Sequence, residues 1–220
     1  MYLISKEDRS LKGEINISGS KSESNRLLII RAYTSFFKII NLSDSDDTNT
    51  LISALESNDE KINIGHAGTA MRFLTSYFSS TQNSSKILTG SERMKERPIS
   101  ILVDALNYIG ADIEYINKVG YPPIRLKGKL ISNYTVSLPA NVSSQYLSSL
   151  MMLGISLSEG LIINLSTKIT SLPYIKMTKE LIERVGGKIS IQPDKIIVEP
   201  ILENKISDQT VETDWSSASY

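Results

Sequence analysis

The sequence predicts an α/β (α+β) protein assembled from three copies of a β-α-β-α-β(-β) unit. Amphipathic helical patterns alternate with short strand-like runs along the whole chain, which points to layered helices and sheets rather than a bundle or a sandwich. Two of the helices open on proline, stop at glycine and are followed by a strand. The landmarks of those two units also recur at a near-constant spacing. Pro98 and Pro173 lie 75 positions apart, while Gly110 and Gly186, Ile113 and Ile189, and Gly68 and Ser144 each lie 76 apart. A fixed period marks structural units that bury a common core by packing on one another.

In chain order, the first and least complete copy has a helix over residues 22–35, a strand at 38–42, a helix over 47–57 and a strand at 61–64. Residues 69–80 form a helix because Ala70, Phe73, Leu74, Tyr77 and Phe78 fall on one face. From Pro98 onward, Ile99, Leu102, Val103, Leu106 and Ile109 do the same until Gly110, and residues 111–115 then alternate as a strand. A third such helix starts at Ser144 with Leu147, Leu150, Met151, Gly154 and Leu157 inward. A fourth starts at Pro173 with Met177, Leu181, Ile182 and Val185 inward, closes at Gly186-Gly187 and leads into a strand at 188–191. No linker-like stretch divides the chain.

Composition restricts the chemistry. The 220 residues are enough to bury a core, and 40% hydrophobic with 22% charged residues is a globular balance. Lys+Arg 24 against Asp+Glu 24 leaves no basic excess for nucleic acid. With Cys 0 and His 1, disulfides, thiolate nucleophiles and Cys- or multi-His metal sites are excluded. No run approaches the roughly 18 apolar residues of a membrane span, and the start carries Lys6, Glu7 and Asp8 instead of an apolar signal core. The expectation is a soluble cytoplasmic protein that works with Lys, Arg, carboxylates, hydroxyls and amides.

Three helices begin in small polar residues: Gly19-Ser20-Lys21-Ser22, Gly65-His66-Ala67-Gly68-Thr69 and Val142-Ser143-Ser144-Gln145. Helix starts present unpaired N–H groups and partial positive charge, so three on equivalent repeat positions can converge on one anion; taken singly, each is ordinary capping. Lys21 stands at the first start with Arg26 about one turn further in. Five of the six residues from Glu92 to Arg97 are charged, and this loop can close over an anionic ligand, with Arg93 the choice for a bidentate contact. His66 is read as a lining residue, not a base. Ser171 opens the last helix and offers one more hydroxyl.

The ordered motifs Gly19-Ser20-Lys21-Ser22-Glu23-Ser24-Asn25-Arg26, Leu42-Ser43-Asp44-Ser45-Asp46-Asp47, His66-Ala67-Gly68-Thr69-Ala70-Met71-Arg72, residues 88–98, Tyr121-Pro122-Pro123-Ile124-Arg125 and residues 142–147 together closely resemble the N-terminal half of the 5-enolpyruvylshikimate-3-phosphate synthases, the 3-phosphoshikimate 1-carboxyvinyltransferases. The resemblance implies an enolpyruvyl transferase-like lobe of three βαβαββ repeats, about 19–64, 65–130 and 131–207. Residues 1–18 and 208–220 would be hinge segments of a second, C-terminal lobe absent from this chain. Residues 1–18 are expected to pair with 210–213 or to be loosely held, and the chain is expected to be a fragment, inactive alone.

The implied reaction moves the enolpyruvyl group of phosphoenolpyruvate to the 5-hydroxyl of shikimate 3-phosphate and releases phosphate, with no metal or organic cofactor. By resemblance, Lys21 is catalytic and touches both substrates. Ser22 and Arg26 hold the shikimate ring and its carboxylate, and Ser143, Ser144 and Ser171 bind the 3-phosphate. Gln145 lies between the ligands, while Gly68 and Arg93 contact phosphoenolpyruvate. The acid–base carboxylates would come from the other lobe, and the full-length enzyme is expected to be a monomer. His66 stands where the family usually has Asn, Phe73 where many members have Pro, and Leu172 where a basic residue is frequent. Two rivals are a UDP-N-acetylglucosamine enolpyruvyl transferase, which normally has a loop cysteine and a Lys-Asn pair, and a noncatalytic phospho-ligand binding module.

Overall fold

The computed structural model describes residues 12–34, 37–141, 143–202 and 206–219. The chain runs α1 (Lys21–Tyr33), β1 (Ile39–Ile40), α2 (Asp46–Glu56), β2 (Lys61–Asn63), α3 (Gly68–Ser80), β3 (Ser85–Thr89), α4 (Glu92–Lys95), α5 (Ser100–Tyr108), β4 (Asp112–Tyr115) and β5 (Ile124–Lys127). It continues through β6 (Thr135–Leu138), α6 (Ser144–Gly154), β7 (Leu161–Leu165), α7 (Leu172–Arg184), β8 (Ile189–Ile191), β9 (Lys195–Val198), β10 (Gln209–Thr210) and α8 (Trp215–Ala218).

Two four-stranded sheets share one topology, β2-β3-β5-β4 and β6-β7-β9-β8. In each, the first pair is parallel, joined through α3 or α6, and the remaining pairs are antiparallel. The spacing of landmarks in the sequence is thus a repeat of βαβαββ units. Both second helices end in the same way. The Gly110 and Ala111 amides donate to the Asn107 and Leu106 carbonyls, and those of Gly186 and Gly187 donate to Glu183 and Ile182. Gly110 (φ 112) and Gly186 (φ 90) supply the left-handed residue this cap requires.

The six longer helices sort into two classes. α1, α3 and α6, the first helix of each unit, pack on one another and are buried on nearly every side, Tyr77 being half-buried. Serines let them approach closely: Ser149 Oγ donates to Arg72 O at 3.0 Å and shares a second hydrogen bond, at 2.7 Å, with the Ser76 hydroxyl. The second helices, α2, α5 and α7, bury one stripe each, such as Ile175, Thr178, Leu181 and Ile182 of α7.

Several sequence expectations are corrected. The strand at 61–64 belongs to the second unit, where β2 pairs with β3. The first unit, in place of a four-stranded sheet, has the two-stranded parallel β1–β10. Thr210 therefore pairs with Ile40; residues 1–11 lie outside the described residues, and 12–18 contain no strand. The end of the helix expected over 22–35 also lies outside them, as does Val142. Pro98 does not open a helix, because a short turn, α4, capped by Ser91, precedes it and α5 begins two residues later; Pro173 does stand in the first turn of α7. α6 ends at Gly154, although Leu157 stays buried beyond it.

Candidate functional site

α1 begins at Ser20, whose hydroxyl accepts from the Glu23 amide at 3.4 Å and donates to Asp214 Oδ2 at 2.5 Å. The Ser20 amide donates to the Glu212 carbonyl at 2.7 Å, so residues 211–214 are bound across this helix start. The Ser20 hydroxyl holds the Asp214 carboxyl below the usual carboxylate range. Glu23 is buried beside Arg184 at 2.8 Å, and desolvation raises its pKa. Lys21 is exposed, with Nζ 3.4 Å from Asp47 Oδ2 in the first turn of α2. Lys21 and Ser22 line a cavity of about 460 Å³ with Ser43, Asp44, Tyr174 and Asp214.

Arg26 is 2% exposed. Its Nε donates to Thr178 Oγ1 at 2.7 Å, Nη1 to the Ser22 carbonyl at 2.9 Å and Nη2 to Ser148 Oγ at 3.1 Å. The guanidinium lies 5.5 Å from the Phe73 ring centre and 5.7 Å from that of Tyr174. Among the described residues no carboxylate pairs with it, and burial lowers its pKa to about 10. A buried cation satisfied only by neutral oxygens, with two of its five N–H donors uncommitted to these partners, favours an incoming anion.

At the start of α3, Gly68 has no side chain where Arg97 packs: a Cβ there would sit 2.5 Å from Arg97 Nη1. One turn on, buried Arg72 donates from Nη1 to the Gly68 carbonyl and from Nη2 to the Pro98 carbonyl, both at 3.2 Å. Tyr146 Oη donates to the same Pro98 carbonyl at 2.7 Å. The segment after α4 is thereby fastened to the starts of α3 and α6. At α6, exposed Ser143 caps the helix by accepting from the Gln145 amide at 3.3 Å, and Gln145 Nε2 donates to Thr69 Oγ1 at 3.1 Å. Ser143 and Gln145 line a cavity of about 360 Å³ with Arg72, Arg97 and Tyr146. Arg93 lines another of about 420 Å³ with His66, Ser91, Met94 and Arg97.

The structure therefore joins Lys21 and Ser22 in one cavity, Ser143 and Gln145 in a second, and Arg93 and His66 in a third, with Arg97 shared by the last two. Ser144 and Ser171 are half-buried at the starts of α6 and α7 and line none of the three; Ser171 makes no side-chain cap bond. Sequence reasoning overlooked Arg97, Arg72, Tyr174, Asp47 and the Arg26 partners Ser148 and Thr178. Thr178 and Ser148 had a detectable signal, a hydroxyl inside an otherwise apolar helix face. Arg97 was visible only as one cation in a charged run.

The profile of the family described as EPSP synthase (3-phosphoshikimate 1-carboxyvinyltransferase) matches residues 52–220. The chain is 46% identical over its full length to a 3-phosphoshikimate 1-carboxyvinyltransferase of Bacteroides fragilis (strain YCH46), of which it covers 53%. It is 37% identical to that of Colwellia psychrerythraea, with 96% of this chain and 56% of the relative aligned. The chain thus spans about half the length of the curated relatives it matches. The solved EPSP synthase from Acinetobacter baumannii superposes with a TM-score of 0.77 at 19% identity, over 94% of this chain and 52% of that one, a likeness of fold. On the extent of the profile match, together with the shared repeat architecture, the chain belongs to the EPSP synthase family.

Proposed function

We propose that this chain is the lobe that holds shikimate 3-phosphate and part of phosphoenolpyruvate in a 3-phosphoshikimate 1-carboxyvinyltransferase. Arg26 carries the reading: a buried guanidinium without a carboxylate partner, near the starts of α1 and α7, fits the ring carboxylate that the family places there. The helix starts of α6 and α7, with Ser143, Ser144 and Ser171, offer hydroxyls and oriented N–H groups for the 3-phosphate. Lys21 and Gln145 are assigned to contacts with both ligands, and Gly68, Arg93 and Arg97 to phosphoenolpyruvate.

In the reaction the 5-oxygen of shikimate 3-phosphate bonds to C2 of the enolpyruvyl group, the bond between C2 and the bridging phosphate oxygen breaks, that oxygen leaves with the phosphate, and the proton lost by the hydroxyl is, in net terms, taken up by the released phosphate. Both substrates are anions, so the residues of this lobe contribute by positioning and by charge compensation. Proton transfer is assigned to carboxylates of a second lobe, for which the greater length of the relatives leaves room. In this reading residues 1–18 and 208–220 serve the hinge, and the two-lobed protein is a cytoplasmic monomer. Among the described residues no helix is long and apolar enough to cross a membrane.

Calorimetry of the 220-residue chain with shikimate 3-phosphate tests the proposal. One-to-one binding, weaker than in a two-lobed relative because closure is missing, is expected. No binding, or turnover of phosphoenolpyruvate by this chain alone, would overturn the assignment.

A further inference from the structure

The cavity lined by Arg93 and Arg97 has a third polar wall, His66, and the fold fixes where that wall stands. His66 lies between β2 and α3 in a turn whose backbone is bound at three points: Gly65 N to Asn63 Oδ1 at 3.0 Å, Ala67 N to Ile64 O at 3.0 Å, and Gly65 O accepting from Ser91 N, the cap of α4, at 2.8 Å. The turn and the arginine segment are therefore held together. Neither Arg93 nor Arg97 has a carboxylate partner among the described residues, and Glu92 is engaged by Lys95 at 2.7 Å. On its other side, His66 lines a polar groove of about 540 Å³ with Asp46, Asp59, Lys61, Asn49 and Asn63. His66 thus stands between an arginine-lined cavity and a groove that carries two carboxylates and a lysine.

We infer that His66 is a third, proton-gated cation of the Arg93–Arg97 cavity, strengthening the hold on a multiply charged anion when its imidazole is protonated. This rests on reading that cavity as the phosphoenolpyruvate side of the site. The sign follows from linkage. A bound anion favours the imidazolium, so it raises the midpoint of the His66 titration, and affinity is highest below that midpoint and falls as pH rises through it. A rise of about one pH unit in the midpoint corresponds to about tenfold in affinity between the two protonation states.

His66 is the only histidine in the chain, so its imidazole resonances in an NMR titration of the 220-residue protein need no assignment. The titration is run without ligand, with phosphoenolpyruvate, and with sulfate, whose own charge is constant through this range. The midpoint is expected to rise with either anion, the affinity for sulfate to fall about three- to tenfold between about pH 5.5 and about pH 7.5, and that sulfate slope to vanish in His66→Asn. Loss of the midpoint shift in the Arg93→Ala/Arg97→Ala double variant would tie it to this cavity. An unmoved midpoint while the Arg93 and Arg97 amides respond to the anion would overturn the role of His66 and leave the cavity reading intact. If neither responds, the reading of the cavity falls as well.

Discussion

The two ends of the site differ in how their cations are held. Arg26 is buried, its fork fixed by Thr178, Ser148 and the Ser22 carbonyl and enclosed by Phe73 and Tyr174. Arg93 and Arg97 are exposed on and just after a four-residue helix, with no carboxylate partner among the described residues, and only the segment that carries them is fastened, through Pro98. Folding alone therefore prepares the Arg26 end, at the desolvation cost that lowers its pKa. The arginine rim is positioned as a backbone, while its side chains have no carboxylate partner among the described residues and, in the proposed reading, remain available to a ligand or a closing lobe. Such a division is what ordered recognition by positioning would use, a rigid seat at one end and an adaptable clamp at the other.

The largest expected effect breaks the rigid end. Arg26→Ala should weaken shikimate 3-phosphate by at least about a hundredfold in calorimetry, the scale of losing a charge-assisted fork in a buried site. Arg26→Lys should rescue little, because an ammonium cannot replace a planar fork with three fixed partners. Full retention of affinity in either variant would remove Arg26 from the site.

At the adaptable end, Gly68→Ala places a Cβ against the Arg97 guanidinium, the far end of a flexible side chain. The fold should survive with little change in Tm, while phosphoenolpyruvate affinity, measured with shikimate 3-phosphate present, falls about tenfold, equivalent to about 1.4 kcal/mol. A large fall in Tm would show that Gly68 serves packing instead.

Tyr146→Phe sharpens the contrast between fastened backbone and free side chains. It removes one of two donors to the Pro98 carbonyl and should cost about 1 kcal/mol of stability in denaturant unfolding. Amide exchange should quicken over residues 92–98 and not around Arg26.

The smallest effect concerns pH. The folded-state pKa of Asp214 is depressed, so its contribution to stability is present above its ordinary value of 3.8 and is lost as pH falls through the lower folded value. Glu23, whose amide donates to the same Ser20 hydroxyl, has a raised folded pKa and acts in the opposite sense, its ionisation costing stability as pH rises through that value. Asp214→Asn should therefore flatten the acid limb of a Tm-against-pH curve, an effect below about 1 kcal/mol for a half-exposed group. An unchanged acid limb would mean that the Ser20 bond contributes nothing to holding residues 211–214.

Much of this was legible in the chain. The repeat spacing located both complete units, and Gly110 and Gly186 marked helix ends that proved to be the same cap. Lys21, Arg26 and the small polar helix starts stood out in the sequence as candidates for holding an anion. Other features were not legible, for physical reasons. The β1–β10 pair joins residues about 170 positions apart, and no local pattern specifies such a partner. β2 is three residues long, too short for its periodicity to say which unit it closes or opens. Pro98 reads locally as a helix start and is in fact a carbonyl acceptor for two side chains from elsewhere in the fold.

The sequence by itself determined the unit, its period and the residue types available for chemistry, because periodicity, capping glycines and the near absence of histidine and cysteine are local or compositional properties. Only the tertiary structure decided which helices lie inside, that Arg26 is buried between α6 and α7, and that Arg97 rests against Gly68 while His66 faces the same cavity as Arg93. Burial and proximity arise from packing segments far apart in the chain, and it is packing that turns a set of ordinary cations into one held by three internal partners and a pair with no carboxylate partner among the described residues.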